Sequence, residues 1–219
     1  MTPVSAAEDV GVLWLATLQR ALGRASHDVK DALNGVSVNL EVIRSRSSRP
    51  AAAAAVVAPF AEAAGQQLER LTSLLEAVLA LGRAEREPAD VAVILRRLGT
   101  LCGASSSSAD ADVVVEIGDV ESAVTRVRGD AVRLALAAPL LDLVSGSDRT
   151  NRAPPVRCTV SEAEEAIVVT IGAAGRRAAM PETVAEAVRA AGVRWTDGEQ
   201  GDAGGEAATN DLSLAFPRA

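Results

Sequence analysis

The sequence predicts an α+β protein: a long antiparallel helical hairpin over residues 1–85, then an α/β sandwich over 86–219. Three observations carry this. Apolar residues recur at steps of three and four through the first third of the chain. A charged, proline-bearing stretch, Glu85-Arg86-Glu87-Pro88, marks a change of pattern. Beyond it, helical periodicity alternates with short β-rich runs.

In the first helix the apolar steps are Leu15, Leu18, Leu22, Ala25, Val29, Ala32, Val36 and Ile43, a coiled-coil-like seam. Leu33 and Leu40 widen the stripe on one side. Glu8 and Asp9 place negative charge near the expected start. The run ends at Ser45-Arg46-Ser47-Ser48-Arg49-Pro50, because proline disfavours helix at the residue before it. A second helix follows from about Ala51 to Ala84. Its seam is Leu68, Leu71, Leu75 and Val78, with Leu74 and Leu79 beside it, and Pro59 is placed to kink its first half. One hairpin cannot bury so wide a stripe. A homodimer, with two hairpins in a four-helix bundle, is the economical solution.

In the second part, Asp90 to Cys102 reads as a helix and Ser105 to Ala109 as a serine-rich loop. Val113 to Ile117 and Ala123 to Val127 read as strands around a Gly118-Asp119 turn. Asp130 to Val144 is a strongly apolar helix. Val156 to Val160 and Ala166 to Ile171 are strands joined across the acidic run Glu162 to Glu165. Pro181 to Ala191 is a helix, Thr196 to Ala208 a Gly/Asp-rich loop, and Asp211 to Phe216 a terminal strand. Helices on one face of a mixed sheet are expected.

Composition narrows the chemistry. The chain has one histidine, His27, and one lysine, Lys30; all other basic residues are arginine. Polyhistidine zinc sites and a Walker loop are excluded. A Ser-His-Asp hydrolase would need His27, and no GxSxG elbow exists. Cys102 and Cys158 form no CxxC pair and read as small buried apolar residues. Aromatics make up 2% of residues, so the core must be aliphatic. Net charge is −7 with no basic block, which argues against nucleic acid. The N-terminus lacks a signal-peptide core and no stretch is apolar enough for a bilayer. A cytoplasmic protein that binds no membrane is expected.

On the first helix His27 falls nearly opposite the seam. Arg20, Arg24, Asp31 and Asn34 share its face at steps of three, four and seven. The sole histidine thus points to water from a rigid helix. Asp28 follows it directly, then Val29 and Lys30.

This pattern, His27-Asp28-Val29-Lys30-Asp31-Ala32-Leu33, resembles the H-box of sensor histidine kinases. The resemblance implies that neutral imidazole at His27 accepts a phosphoryl group. It implies that Asp28 orients the ring or takes its proton. Lys30 and Arg24 would help neutralise the group in flight. Asp31 stands where relatives with phosphatase activity carry a neutral residue, so strong phosphatase activity is not expected. Asn34 lies one turn further on. A receiver domain would dock beside His27 through an apolar patch, for which Val38 and Val42 are candidates, with Arg44 nearby.

The second part resembles a degenerate histidine-kinase ATP-binding domain. Gly129-Asp130-Ala131-Val132 resembles the start of the metal-binding helix, and Gly204-Gly205 with Leu212 to Pro217 the last glycine box and terminal strand. The asparagine positions fall on Leu140 and Val144, or on Pro139 and Leu143. The adenine-site segment Val168 to Gly175 has no acidic residue, and Gly172 and Gly175 read as a turn. The chain is therefore expected to bind no cofactor or metal, with Mg²⁺ on the partner receiver. The whole resembles ATP-independent histidine phosphotransferases of the ChpT type. These imply response-regulator receivers, and a hybrid histidine kinase, as partners. A pseudokinase scaffold, an active kinase and a purely structural dimer are the alternatives. Trp14 is expected to pack at the bundle end and Trp195 at the sheet edge or core.

Overall fold

The computed structural model describes residues 3–48, 54–83, 88–103, 113–120, 122–145, 154–197 and 211–219, with side chains from residue 9 onward. The Ser105–Ala109 loop, Gly204-Gly205, and most of the Glu85–Pro88 and Thr196–Ala208 segments lie outside the described residues.

Helix α1 runs over Pro3–Ser47 and α2 over Ala54–Gly82, antiparallel. α1 starts earlier than predicted, with Pro3 as its first residue, where a missing N–H costs nothing. Asp9 is therefore a full turn or more inside the helix. At 45 residues α1 is about 65 Å long. Pro59 lies within α2, which continues through it. The helices approach closely at Gly35: a β-carbon there would stand 3.3 Å from Gln67 Cγ.

The predicted seam splits. Leu18, Ala25 and Ala32 are buried, whereas Leu15 is 57% exposed. On α2 the buried residues are Ala64, Leu74, Ala77 and Leu81, while Leu68, Leu75 and Leu79 are exposed. The cause is competition between two partners for one wide stripe. Helices of the second half cover one side of it, through Val10, Trp14, Leu18 and Ala21 of α1 and Leu74 and Leu81 of α2. The other side, with Leu15, Leu33, Leu40, Leu68, Leu75 and Leu79, stays open in the single chain.

After strand β1 (Ala89–Asp90) comes α3 (Val91–Leu101), whose N-cap Asp90 accepts a 2.9 Å hydrogen bond from Val93 N. Strands β2 (Val113–Ile117) and β3 (Val124–Thr125) precede α4 (Gly129–Ser145). Then come β4 (Val156–Ala163), β5 (Ala166–Gly172), α5 (Glu182–Ala190), β6 (Arg194–Asp197) and β7 (Leu212–Pro217). The main sheet has the order β2-β4-β5-β7-β6 and is mixed: β2 and β4 are parallel, the other pairs antiparallel.

This corrects the predicted hairpin between β2 and β3. β3 pairs with β1, not with β2. Between β2 and β4 the chain must cross the sheet, since parallel neighbours cannot be joined by a tight turn. The apolar helix α4 makes that crossover. It is buried almost all round, as expected of a helix held between a sheet and α1. Strand residues alternate cleanly. Val156, Cys158 and Val160 of β4 and Leu212, Leu214 and Phe216 of β7 face the helices. Thr159, Thr170 and Ser213 stand side by side on the uncovered face.

The hairpin base and the α/β half share one continuous core, from Val10 and Trp14 to Phe216. Arg176 closes the end of α4, donating to Leu143 O at 2.5 Å and Pro154 O at 2.8 Å, where a cation suits the helix dipole. Trp195 is half-buried on the edge strand β6, 4.7 Å from the Arg189 guanidinium, in agreement with its predicted place. Neither cysteine forms a disulfide, and both are buried. Among the described residues no helix is long and apolar enough to cross a membrane.

Candidate functional site

His27 lies mid-way along α1 and is exposed. The helix that carries it is held on its opposite side by the packed seam, so the imidazole stands on a stiff support. Successive helical residues point about 100° apart. Asp28 is consequently turned inward and is 9% exposed. Its Oδ1 lies 3.9 Å from Nη2 of Arg70 on α2. The ion pair thus crosses the hairpin at the level of the histidine.

The remaining predicted residues fall as follows. Lys30, Asp31 and Asn34 are exposed, and Arg24 is half-buried. Asp31 and Asn34, at four and seven residues after His27, share its face, and Arg24 precedes it by one turn on the same side. Lys30 projects further round the helix. Val38, on the His27 face three turns on, is 63% exposed, and Val42 is half-buried. Arg44 pairs with Glu41 of its own helix at 2.9 Å and is occupied there.

The second half of the chain reaches the same face. Arg20 lies two turns before His27, and its Nη2 donates to Asp142 Oδ1 of α4 at 2.6 Å. Below this, the guanidinium of buried Arg133, also on α4, lies 6.0 Å from the Trp14 ring. Trp14 was expected at the bundle end. It is there, and it is also the contact through which the hairpin grips the α/β half. Arg70, Asp142 and Arg133 were not picked out from the sequence. Asp142 carried a signal: it is the one charged residue in the apolar run from Leu134 to Val144.

In the region compared with a nucleotide site, Leu140 and Val144 are 0% and 2% exposed and belong to the core. Gly175 adopts φ 72° in a turn after β5. Gly172 lies directly beneath the Asp211 carboxylate, which leaves no room for a β-carbon. Among the described residues no three acidic, cysteine or histidine side chains are grouped to hold a metal ion.

No protein-family model and no curated protein matches the chain. Solved structures similar to it include the Acinetobacter baumannii histidine kinase AdeS, at TM-score 0.42 and 13% identity, over 87% of this chain and 97% of that one. The Erythrobacter litoralis EL346 blue-light activated histidine kinase is similar at TM-score 0.41 and 15% identity, over 91% of this chain and 59% of that one. A bacterial phosphotransferase is similar at TM-score 0.38 and 13% identity, over 98% and 97%. The likeness is one of architecture.

Proposed function

We propose that the chain is an ATP-independent histidine phosphotransferase that relays phosphoryl groups between response-regulator receiver domains through His27. It would act in the cytoplasm as a homodimer. The observation that carries the reading is the placement of the sole histidine. It is exposed on a stiff helix, beside a buried Asp28 that faces the exposed Arg70, on the face to which Arg20 and Asp142 fasten the α/β half.

In the forward step a receiver carrying an aspartyl phosphate docks over His27. The lone pair of the neutral imidazole attacks phosphorus in line. The bond from phosphorus to the receiver's carboxylate oxygen breaks, and the carboxylate leaves. The ring is left as a phosphohistidine, and its extra positive charge is relieved by the second ring nitrogen releasing a proton. A second receiver reverses these steps. The receiver's own Mg²⁺ would supply charge neutralisation at the phosphoryl oxygens. From this chain, Arg24 and Lys30 supply positive charge near the site. The inward position of Asp28 suits a role in holding helix and ring geometry, with Arg70 of α2 beside it. The open leucines of both helices support the homodimer, since they form an apolar face that a second hairpin would cover.

The test is reconstitution with purified receivers. Label should move from one phosphorylated receiver to another only when the protein is present, and His27→Ala should abolish it. Label reaching the protein from ATP alone would establish a kinase instead. Receiver binding with no transfer would establish a scaffold.

A further inference from the structure

A cleft of about 210 Å³ opens on the uncovered face of the main sheet, where β5 ends and β7 begins. Thr159 of β4 and Thr170 of β5 line it as direct cross-strand partners, and Arg157 is the partner of Gly172. Asp211, one residue before β7, closes the row. Its carboxylate lies over Gly172, a place that only a residue without a β-carbon leaves open. Asp211 is half-buried, and its Oδ1 is buried and meets no donor among the described residues. The cation nearest in the row, Arg157, is engaged on its other side, where Nη1 donates to Glu116 Oε1 of β2 at 2.7 Å. The hydroxyls of Thr159 and Thr170 likewise have no partner among the described residues. Pro154, Pro155 and Ala174 add an apolar wall.

We propose that this cleft binds a small primary amine, an alkylammonium with a short apolar chain. A buried acceptor left without a donor is costly and rare in folded proteins. The carboxylate shares its electrons between both oxygens, so a cation held against the exposed part of Asp211 relieves the buried oxygen as well. An ammonium carries three N–H donors and no acceptor. That matches one carboxylate and two hydroxyls. A water meets the same acceptors but gains nothing from the proline and alanine wall, which the methylenes of an amine cover. The cleft is smaller than the sites of drug-sized ligands, about 300–1,000 Å³, so the ligand is short. The long-range field of a chain with net charge −7 favours a cation over a neutral polyol or an anion, and that attraction weakens with added salt. The inference does not depend on phosphotransfer at His27.

The test is an amide NMR titration of the full chain with butylamine at neutral pH and low salt. Saturable shifts at Thr159, Thr170, Gly172 and Asp211 are expected, weakening as salt is raised. Butan-1-ol, equally long but uncharged, should bind at least about tenfold more weakly, and so should butylamine to Asp211→Asn, since a charge-assisted hydrogen bond is lost in each case. Glu186→Gln removes one negative charge from the exposed side of α5, in the helical layer, and should bind as the wild type does. A native far-UV circular dichroism spectrum of Asp211→Asn shows that its loss of binding is local. If that variant misfolds, Thr170→Val takes its place and should weaken binding about threefold or more. Absence of saturable shifts at these amides, equal binding of butan-1-ol, or wild-type affinity in the site variant overturns the proposal. So does tighter binding of Nα-acetyl-lysine methylamide than of butylamine, because it would make the cleft a docking point for a lysine of another protein.

Discussion

Arg20 of α1 donates to Asp142 of α4 across 2.6 Å, two turns from His27 and on its face. This ion pair ties the α/β half to the helix face that carries the histidine. Both side chains are about half exposed, at 53% and 47%. Its stability value is therefore small, about 0.5 kcal/mol in a double-mutant cycle. Its positional value is larger. Arg20→Ala should leave the melting temperature nearly unchanged while slowing receiver-to-protein phosphoryl transfer. The charge swap Arg20→Asp with Asp142→Arg should restore the rate. Stopped quench-flow transfer assays, with thermal melts alongside, separate the two effects.

Trp14 supplies the larger grip. It is 8% exposed, packs into the shared core and stacks near Arg133. Trp14→Ala should cost about 3 kcal/mol, as aromatic truncations in cores do. It should also leave Arg133 with a worse environment. Urea unfolding followed by far-UV circular dichroism measures this, and Trp14→Phe should recover most of the loss.

Leu68 and Leu75 are 49% and 50% exposed on α2, although they sit at helical core spacing. A second copy would cover them. Leu68→Asp with Leu75→Asp should convert a dimer to a monomer in light scattering coupled to size exclusion, with far-UV spectra retained. An unchanged mass would mean that this face does not carry the dimer.

These three cases show what could be read from residues alone. The helical hairpin was legible because apolar steps of three and four persist through both long helices. The exposed position of His27 followed from the same periodicity. Which side of the stripe each partner takes was not legible. Leu15 and Leu18 are equally apolar, and only tertiary packing decides that Leu18 is buried and Leu15 open. The strand pairing was misread for a related reason. Val113 to Ile117 and Val124 to Thr125 are near in sequence, but α4 must cross between β2 and β4, and that forces a parallel neighbour. Short strands with few residues, β1 and β6, left too little pattern to detect. At the site, Arg70 had no local signal, because its significance lies in facing Asp28 from another helix.

Cys158 gives a pH prediction. Burial, with the nearby Cys102, pushes its thiol from the ordinary 9.0 up to about 12. Folded protein therefore keeps this proton where the unfolded chain has lost it. The stability contribution is intact below pH 9 and is lost as pH rises from there toward 12. Midpoints of urea unfolding should fall between pH 8.5 and about 10.5, and Cys158→Ala should flatten that slope. Native protein at pH 8 should also resist thiol reagents until it unfolds.

The central claim is that His27 carries the phosphoryl group. The most direct measurement is incubation of the protein with a radiolabelled phosphorylated receiver, followed by acid and alkali treatment of the labelled chain. The account predicts label on the protein that is acid-labile and alkali-stable, absent in His27→Ala and present in the Arg157→Ala control. Label that persists in His27→Ala, or no label from any receiver that binds the protein, would contradict it.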